Sequence, residues 1–221
     1  MTIKVTETFH NICPKFLGAA IEAEVKNSTT SPELWTEIEN YIKELRVQFT
    51  TDSIKQRSGI AATRQAYKLA GKDPSRYRPA CEQLARRVLQ GKDLYSVDTL
   101  VDLVNLASLF SGYSTAALDR DKIEGGTLTL GLGEAEEPYE GIGRGILNIE
   151  HLPVYRDLKG GVATPTSDNV RTMMSAGTTH LVVLINGYDG DKENLDATIT
   201  LTQNLLRRYA ESDGGTVQYY K

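Results

Sequence analysis

Polar side chains and paired glycines cluster in the segment 159–168, where few residues are large. Its candidate site residues are Gly160, Gly161, Thr164, Thr166, Ser167 and Asp168. Glycines let backbone amides approach a bound group, and hydroxyls beside a carboxylate can hold a carbonyl and orient a water molecule. The same residue types also cap the turns of a structured loop, and taken alone they favour that structural interpretation.

A second set of polar residues interrupts an apolar segment at 97–110. Leucine, valine, alanine and phenylalanine cover most of its circumference, which predicts a helix buried on most sides. Asp98, Asp102, Asn105 and Ser108 follow one another at spacings of four, three and three, so they form one stripe on one face. We expect this stripe either to face solvent or to line a cavity.

These two segments belong to a chain in which a run of predicted helices separates an early and a later group of predicted strands. Period-two alternation predicts strands at 3–9 and 21–25, and helical spacing predicts helices at 31–49, 53–70, 79–90 and 97–110. The later part predicts strands at 123–132, 179–185 and 216–220 around a helix at 195–210. No long linker or internal repeat divides the chain. We therefore expect an α+β fold, a mixed sheet or sandwich flanked by helices, as a single domain over 1–221.

Several common functional motifs are missing. The glycines at 141, 143 and 145 neither follow a buried strand nor open a clear helix, so they indicate turns rather than a phosphate loop. His10, His151 and His180 have no metal-ligand spacing with Cys13 or Cys81. We expect neither a metal nor a cofactor, and we interpret both cysteines as buried small apolar residues.

Composition limits the partners and the compartment. The formal net charge is −4, which excludes strong non-specific attraction to nucleic acid, so any nucleic-acid site must be local. No apolar run approaches the length of a membrane span, and the segment 1–10 lacks the continuous apolar stretch of a signal peptide. The prediction is a cytoplasmic protein without a membrane partner.

Longer stretches resemble a known family. TLVDLVN at 99–105, followed by ALDRDKIEGG at 117–126, resembles in order and spacing a stretch of the B3/B4 editing domain of the phenylalanyl-tRNA synthetase β subunit. KDPSRYRP at 72–79 and TPTSD at 164–168 look like the free-standing branch of that family. The resemblance is strongest over 62–185, and it implies the fold of that domain.

The resemblance also implies an activity, the hydrolysis of wrongly charged aminoacyl-tRNA by a free-standing (trans-editing) protein. The ester is already activated, so a site that places a water, stabilises an oxyanion and anchors the amino group suffices. The catalytic candidates are Asn105, Ser108, Gly160, Gly161, Thr166, Ser167 and Asp168, and the substrate-binding candidates are Val104, Ala116 and Thr164. A tRNA-binding module without catalysis, or a protein or enzyme that binds an amino acid in the same pocket, are the alternatives.

Two positions depart from the family pattern. Asn105 matches the pocket asparagine of the family, but Val104 stands where the family has a threonine and Ala116 where it has a histidine. In the synthetase these positions help to recognise a tyrosyl group. Their replacement therefore predicts a different rejected amino acid, without a phenol, or a changed way of positioning water.

A cationic segment is the predicted contact for aminoacyl-tRNA. Lys72 begins it, and the candidate tRNA-binding residues are Arg76, Tyr77, Arg78, Arg86 and Arg87. Arginines can bind phosphates, and a tyrosine can stack on an unpaired base. Solvated charges on a helix, with Tyr77 in the core, explain the same pattern equally well.

Overall fold

The computed structural model describes residues 1–221 and contains ten strands and six α-helices. The strands are β1 (Thr2–Val5), β2 (Leu17–Glu24), β3 (Thr115–Asp119), β4 (Thr127–Leu132), β5 (Glu140–Gly141), β6 (Gly145–Ile146), β7 (Pro153–Arg156), β8 (Gly161–Ala163), β9 (His180–Gly187) and β10 (Thr216–Tyr220). The helices are α1 (Glu7–Ile12), α2 (Pro32–Gln48), α3 (Ser58–Leu69), α4 (Ala80–Leu89), α5 (Thr99–Ser111) and α6 (Lys192–Tyr209).

Two four-stranded sheets form a sandwich. One has the strand order β1-β4-β7-β8 and the other β10-β2-β9-β3. Successive residues of a strand point to opposite faces, and β9 uses both of its faces. Val182 and Leu184 join the apolar core shared with the first sheet, whereas Leu181, Val183 and Ile185 join the core formed with the helices. The predicted α+β class, with a sandwich flanked by helices, is confirmed.

The helices begin at well-defined caps. The Ser31 hydroxyl accepts the N–H of Leu34 at the start of α2, and the Asp98 carboxylate accepts the N–H of Val101 at the start of α5. Gly112 ends α5 in the left-handed conformation, with φ of 74°, which glycine adopts without a steric penalty. The predicted helices at 31–49, 79–90, 97–110 and 195–210 are confirmed. None of the helices has the length and apolar character needed to cross a membrane.

Three predicted elements need correction. The strand at 3–9 is wrong beyond Val5, because the Thr6 hydroxyl accepts the N–H of Phe9 and starts α1. The helix at 53–70 is a 3₁₀ turn at Ile54–Gln56 followed by α3. The strand at 123–132 begins only at Thr127.

The glycine-rich segment 141–145 is a hairpin turn, as predicted. It joins β5 to β6, and Gly143 and Gly145 have φ of 68° and 66°, values that strain residues with a Cβ. Cys13 and Cys81 are buried and free, which confirms their interpretation as apolar residues.

Candidate functional site

A polar pocket of about 290 Å³ lies where five segments meet. These are the first turns of α4, the middle of α5, the start of β3, the β5–β6 hairpin and the loop after β8. Its lining consists of Ala80, Gln83, Leu84, Asn105, Ser114, Thr115, Ile142, Arg144, Thr164, Pro165, Thr166, Ser167 and Asp168. Asn105, Thr164, Thr166, Ser167 and Asp168 were singled out from the sequence, and the fold brings all five into one pocket.

The loop after β8 is held by its own side chains. The Thr164 hydroxyl donates to the Ser167 carbonyl at 2.9 Å and accepts the N–H groups of Thr166 and Ser167. The buried Thr166 hydroxyl donates to the carbonyl of Tyr77 and accepts the hydroxyl of Tyr67, both at 2.9 Å. These contacts are the turn chemistry expected of such residues. They fix the loop that carries Asp168 into the pocket.

Asp168 is the carboxylate of this pocket. It is half-buried, and its only hydrogen-bond donor within the protein is the backbone N–H of Ala117, 3.2 Å from Oδ2. Burial disfavours the charged form and raises the pKa of Asp168 to about 7, with the Ala117 N–H acting in the opposite direction. A carboxyl group with such a pKa exchanges a proton near neutral pH.

The predicted polar stripe of α5 divides into three parts. Asn105 is half-buried and lines the pocket, and its amide makes no side-chain hydrogen bond within the protein. Ser108 is buried and hydrogen-bonded to the hydroxyl of Thr115 behind the lining. Asp98 caps the helix, and Asp102 accepts the Thr30 and Ser96 hydroxyls at 2.5 and 2.7 Å. Of the four residues, only Asn105 lines the pocket.

Four other candidate residues lie outside the pocket lining. Val104 and Ala116 are buried in the two main apolar cores. Gly160 and Gly161 line a separate depression of about 910 Å³ that shares no residue with the pocket. The N–H of Gly160 donates to the carboxylate of Asp157 at 3.1 Å, so it is not aimed at the pocket.

Comparison with known proteins identifies the family. The B3/4 domain model matches residues 62–210, which is more than half of the chain. The chain belongs to the B3/4 domain family. The matched region contains every residue of the pocket lining.

Among solved structures, the chain is similar to an N-terminal fragment of the phenylalanyl-tRNA synthetase β-subunit from Pyrococcus horikoshii. The identity is 12%, the TM-score is 0.47, and the match covers 98% of this chain and 50% of that chain. The protein therefore spans half the length of that fragment. No curated protein matches the sequence.

The cationic segment of the B3/4 domain is organised around one buried carboxylate. Glu82 is fully buried and lies 2.9 Å from Arg64, 2.7 Å from Arg86 and 3.6 Å from Arg78. Arg78, Arg86 and Arg87 also line a surface depression beside the pocket. The structure thus brings three of the predicted tRNA-binding residues together.

The other predicted tRNA contacts are arranged differently. Lys72 is buried, donates to the Asn148 carbonyl at 3.0 Å and lies 3.9 Å from the centroid of the Tyr77 ring. Burial lowers the pKa of Lys72. Tyr77 is half-buried and packs against a small apolar cluster, so Lys72 covers one face of its ring. Arg76 remains exposed at 5.6 Å from the same ring.

Four residues of the B3/4 pocket carried no sequence signal that singled them out. Gln83 and Arg144 form a hydrogen bond across the pocket rim, joining α4 to the hairpin. Ser114 and Thr115 enter the lining because they precede and begin β3. The helical pattern of α4 places Gln83 on its polar face, but only the tertiary fold shows what that face borders.

Proposed function

We propose that this B3/4 domain hydrolyses the ester between an amino acid and the terminal ribose of tRNA, and so removes wrongly attached amino acids. One observation carries the proposal. The unengaged amide of Asn105, on α5, and the carboxylate of Asp168, on the loop that β3 holds, line the same polar pocket.

Asp168 acts as the general base. It takes a proton from a water molecule whose oxygen attacks the ester carbonyl, and the resulting tetrahedral intermediate collapses with loss of the ribose oxygen. The ribose hydroxyl regains a proton, and the products are a free amino acid and an uncharged tRNA. A general base works best when its pKa lies near the working pH, and the pKa of Asp168 is raised to about 7.

Asn105 stabilises the negative charge that develops on the carbonyl oxygen. A side-chain amide that lies in a partly dehydrated site and has no partner within the protein donates to an oxyanion without first losing a hydrogen bond to another protein group. Val104 and Ala116 occupy the positions of the family threonine and histidine, but both lie in the apolar cores outside the pocket lining. The polar contacts of the family's threonine and histidine are therefore missing, and the rejected amino acid is one that needs no partner for a phenol.

A panel of mischarged tRNAs tests the proposal. Purified protein should release one amino acid, or one chemical class of amino acids, faster than it deacylates the correctly charged tRNA. Asn105→Ala and Asp168→Asn should each lower kcat/KM by about a hundredfold or more, the effect of losing one oxyanion donor or a catalytic base. Asn40→Ala and Asp52→Asn, at exposed positions, are the matched controls.

Other outcomes separate the alternatives. Absence of hydrolysis for every aminoacyl-tRNA overturns the proposal, and tRNA binding without hydrolysis would identify a binding module instead. Amino-acid binding that is independent of tRNA would identify an amino-acid-binding protein. If Asp168 held the amino group rather than a water, N-acetylated substrates would resist hydrolysis by the wild-type protein.

A further inference from the structure

A basic depression lies beside the pocket and has no acidic or apolar residue in its lining. It encloses about 320 Å³, and the residues that line it are Arg78, Gln83, Arg86, Arg87, Gln90 and Lys92. All except Arg78 belong to α4 or follow its last turn. A concave surface composed only of cationic and amide side chains is suited to a phosphate.

The depression keeps positive charge although the whole protein is acidic. Below it, the single carboxylate of Glu82 is shared by Arg64, Arg78 and Arg86, which leaves an excess of positive charge. Arg87 and Lys92 add two more cations that form no ion pair, and the Arg87 Nε donates instead to the backbone carbonyl of Asp93. This part of the surface is therefore positively charged, although the whole chain has a formal net charge of −4.

An exposed aromatic ring borders the depression. Tyr95 is 74% exposed, and the guanidinium of Arg87 lies 4.2 Å from the centroid of its ring. The arginine occupies one face of the ring and leaves the rest open to solvent. Exposed aromatic rings beside cations are the usual platform for unpaired bases, because every base offers a π face that can stack. An acidic peptide would need the cations but not the ring.

The depression and the pocket share a residue. Gln83 lines both cavities and lies one helical turn, about 6 Å, before Arg87 on the same side of α4. An extended ligand with one end in the pocket can therefore follow α4 past Gln83 to Arg87 and Tyr95. The structure also distinguishes this ring from Tyr77, whose face is covered by Lys72.

We propose that Tyr95 and the basic depression bind the single-stranded nucleotides that precede the esterified ribose. An unpaired base stacks on Tyr95, and its phosphate contacts Arg86, Arg87 and Lys92. The identification of the ligand as the 3′ end of tRNA rests on the proposed function, whereas the site itself is tested by binding alone.

The experiment uses the full chain and uncharged, fluorescently labelled RNA hairpins in an anisotropy titration. One hairpin carries a single-stranded 3′ tail ending in CCA, and the other is blunt. Tyr95→Ala should weaken binding of the tailed hairpin roughly tenfold, the effect of losing one base stack, and Tyr95→Phe should retain it. Tyr219→Ala is the matched control, since Tyr219 is an exposed ring that pairs with Lys192 elsewhere.

Each result has a defined meaning. A preference for the tailed hairpin that Tyr95→Ala abolishes supports the site, even if no aminoacyl-tRNA is hydrolysed. Equal binding of both hairpins, an unchanged affinity in Tyr95→Ala, or equally tight Tyr95-dependent binding of an acidic peptide overturns it. Where hydrolysis is measurable, Tyr95→Ala should raise KM for aminoacyl-tRNA and leave kcat unchanged, because the ring lies outside the reacting atoms.

Discussion

Asp168 accepts one hydrogen bond within the protein, from the backbone N–H of Ala117 at 3.2 Å. Ala117 lies on β3, the edge strand of its sheet, where alternate N–H groups have no strand partner. The loop after β8 uses this edge to hold its carboxylate. One neutral donor does not compensate for burial, so the pKa of Asp168 remains raised to about 7.

Ester hydrolysis should follow the ionisation of Asp168. A general base must be deprotonated, so we expect kcat to rise with pH and reach a plateau above a midpoint near the pKa of about 7. Rates corrected for spontaneous hydrolysis across this range test the prediction. Asp52→Asn should keep the same midpoint. A midpoint that survives in Asp168→Asn would assign the base to another group.

The same group should make folding stability depend on pH. The pKa of Asp168 is raised from 3.8 to about 7, so between these values the folded state binds more protons than the unfolded state. Stability contributed by the protonated carboxyl is therefore lost as pH rises through about 7.

Asp168→Asn removes this dependence and keeps an acceptor for the Ala117 N–H. Relative to wild type, the variant should gain about 1 kcal/mol in unfolding free energy between about pH 5 and pH 8, half the change that a fully buried group with this shift would show over that range. Urea unfolding at both pH values measures the difference. An equal effect of the substitution at both values would contradict the assigned pKa.

Two residues of the α5 stripe should respond differently to truncation. Asp102→Ala leaves the Thr30 and Ser96 hydroxyls without an acceptor in a largely buried place, which should cost about 2–3 kcal/mol of unfolding free energy. Asn105→Ala removes an amide with no internal side-chain partner, so it should change stability by less than about 0.5 kcal/mol.

The same two substitutions should affect hydrolysis in the opposite order, with the larger loss of activity in Asn105→Ala. Asn105→Ala should lose hydrolysis while it remains folded, and Asp102→Ala should keep its kcat at temperatures where it is still folded. Urea titrations beside kcat/KM measurements separate the two effects. Equal loss of stability in both variants would mean that Asn105 supports the helix rather than the pocket.

The sequence predicted the pocket better than its surroundings. Periodicity places Asn105 on the polar face of a helix, and the family resemblance extends to the loop that carries Asp168. The sequence alone therefore identifies one residue on each side of the pocket. Helical spacing could not separate Asn105 from Asp102, because both lie on the same stripe. Their roles depend on Thr30 and Ser96, which reach Asp102 from other segments.

Predictions that depended on distant neighbours were less complete. Tyr77 belongs to the cationic segment, yet Lys72 folds over its ring, and the exposed ring is that of Tyr95. The prediction of a strand at 3–9 is wrong beyond Val5 because the Thr6 hydroxyl caps the start of α1, where the backbone changes from strand to helix. In both cases a single side-chain contact decides the local structure, and the spacing of apolar residues carries no information about that contact.

Glu82 should be the most sensitive charged residue of α4. Glu82→Gln leaves Arg64 and Arg86 without their common carboxylate in a buried place, and breaking such a pair typically costs about 3–5 kcal/mol. Glu44→Gln, at an exposed position of α2, is the matched control and should change stability little. Urea unfolding of both variants measures the difference.

Inorganic phosphate distinguishes the loss of negative charge at Glu82 from the loss of a hydrogen-bond acceptor. If the arginines are destabilised by mutual repulsion, phosphate that binds the folded protein should raise the Tm of Glu82→Gln more than that of the wild type. Arg86→Gln in the Glu82→Gln background should recover part of the lost stability for the same reason. If neither phosphate nor the second substitution recovers stability, the loss comes from the hydrogen-bond acceptor that the substitution removes, and Glu82 does not act by neutralising repulsion among the arginines of the basic depression.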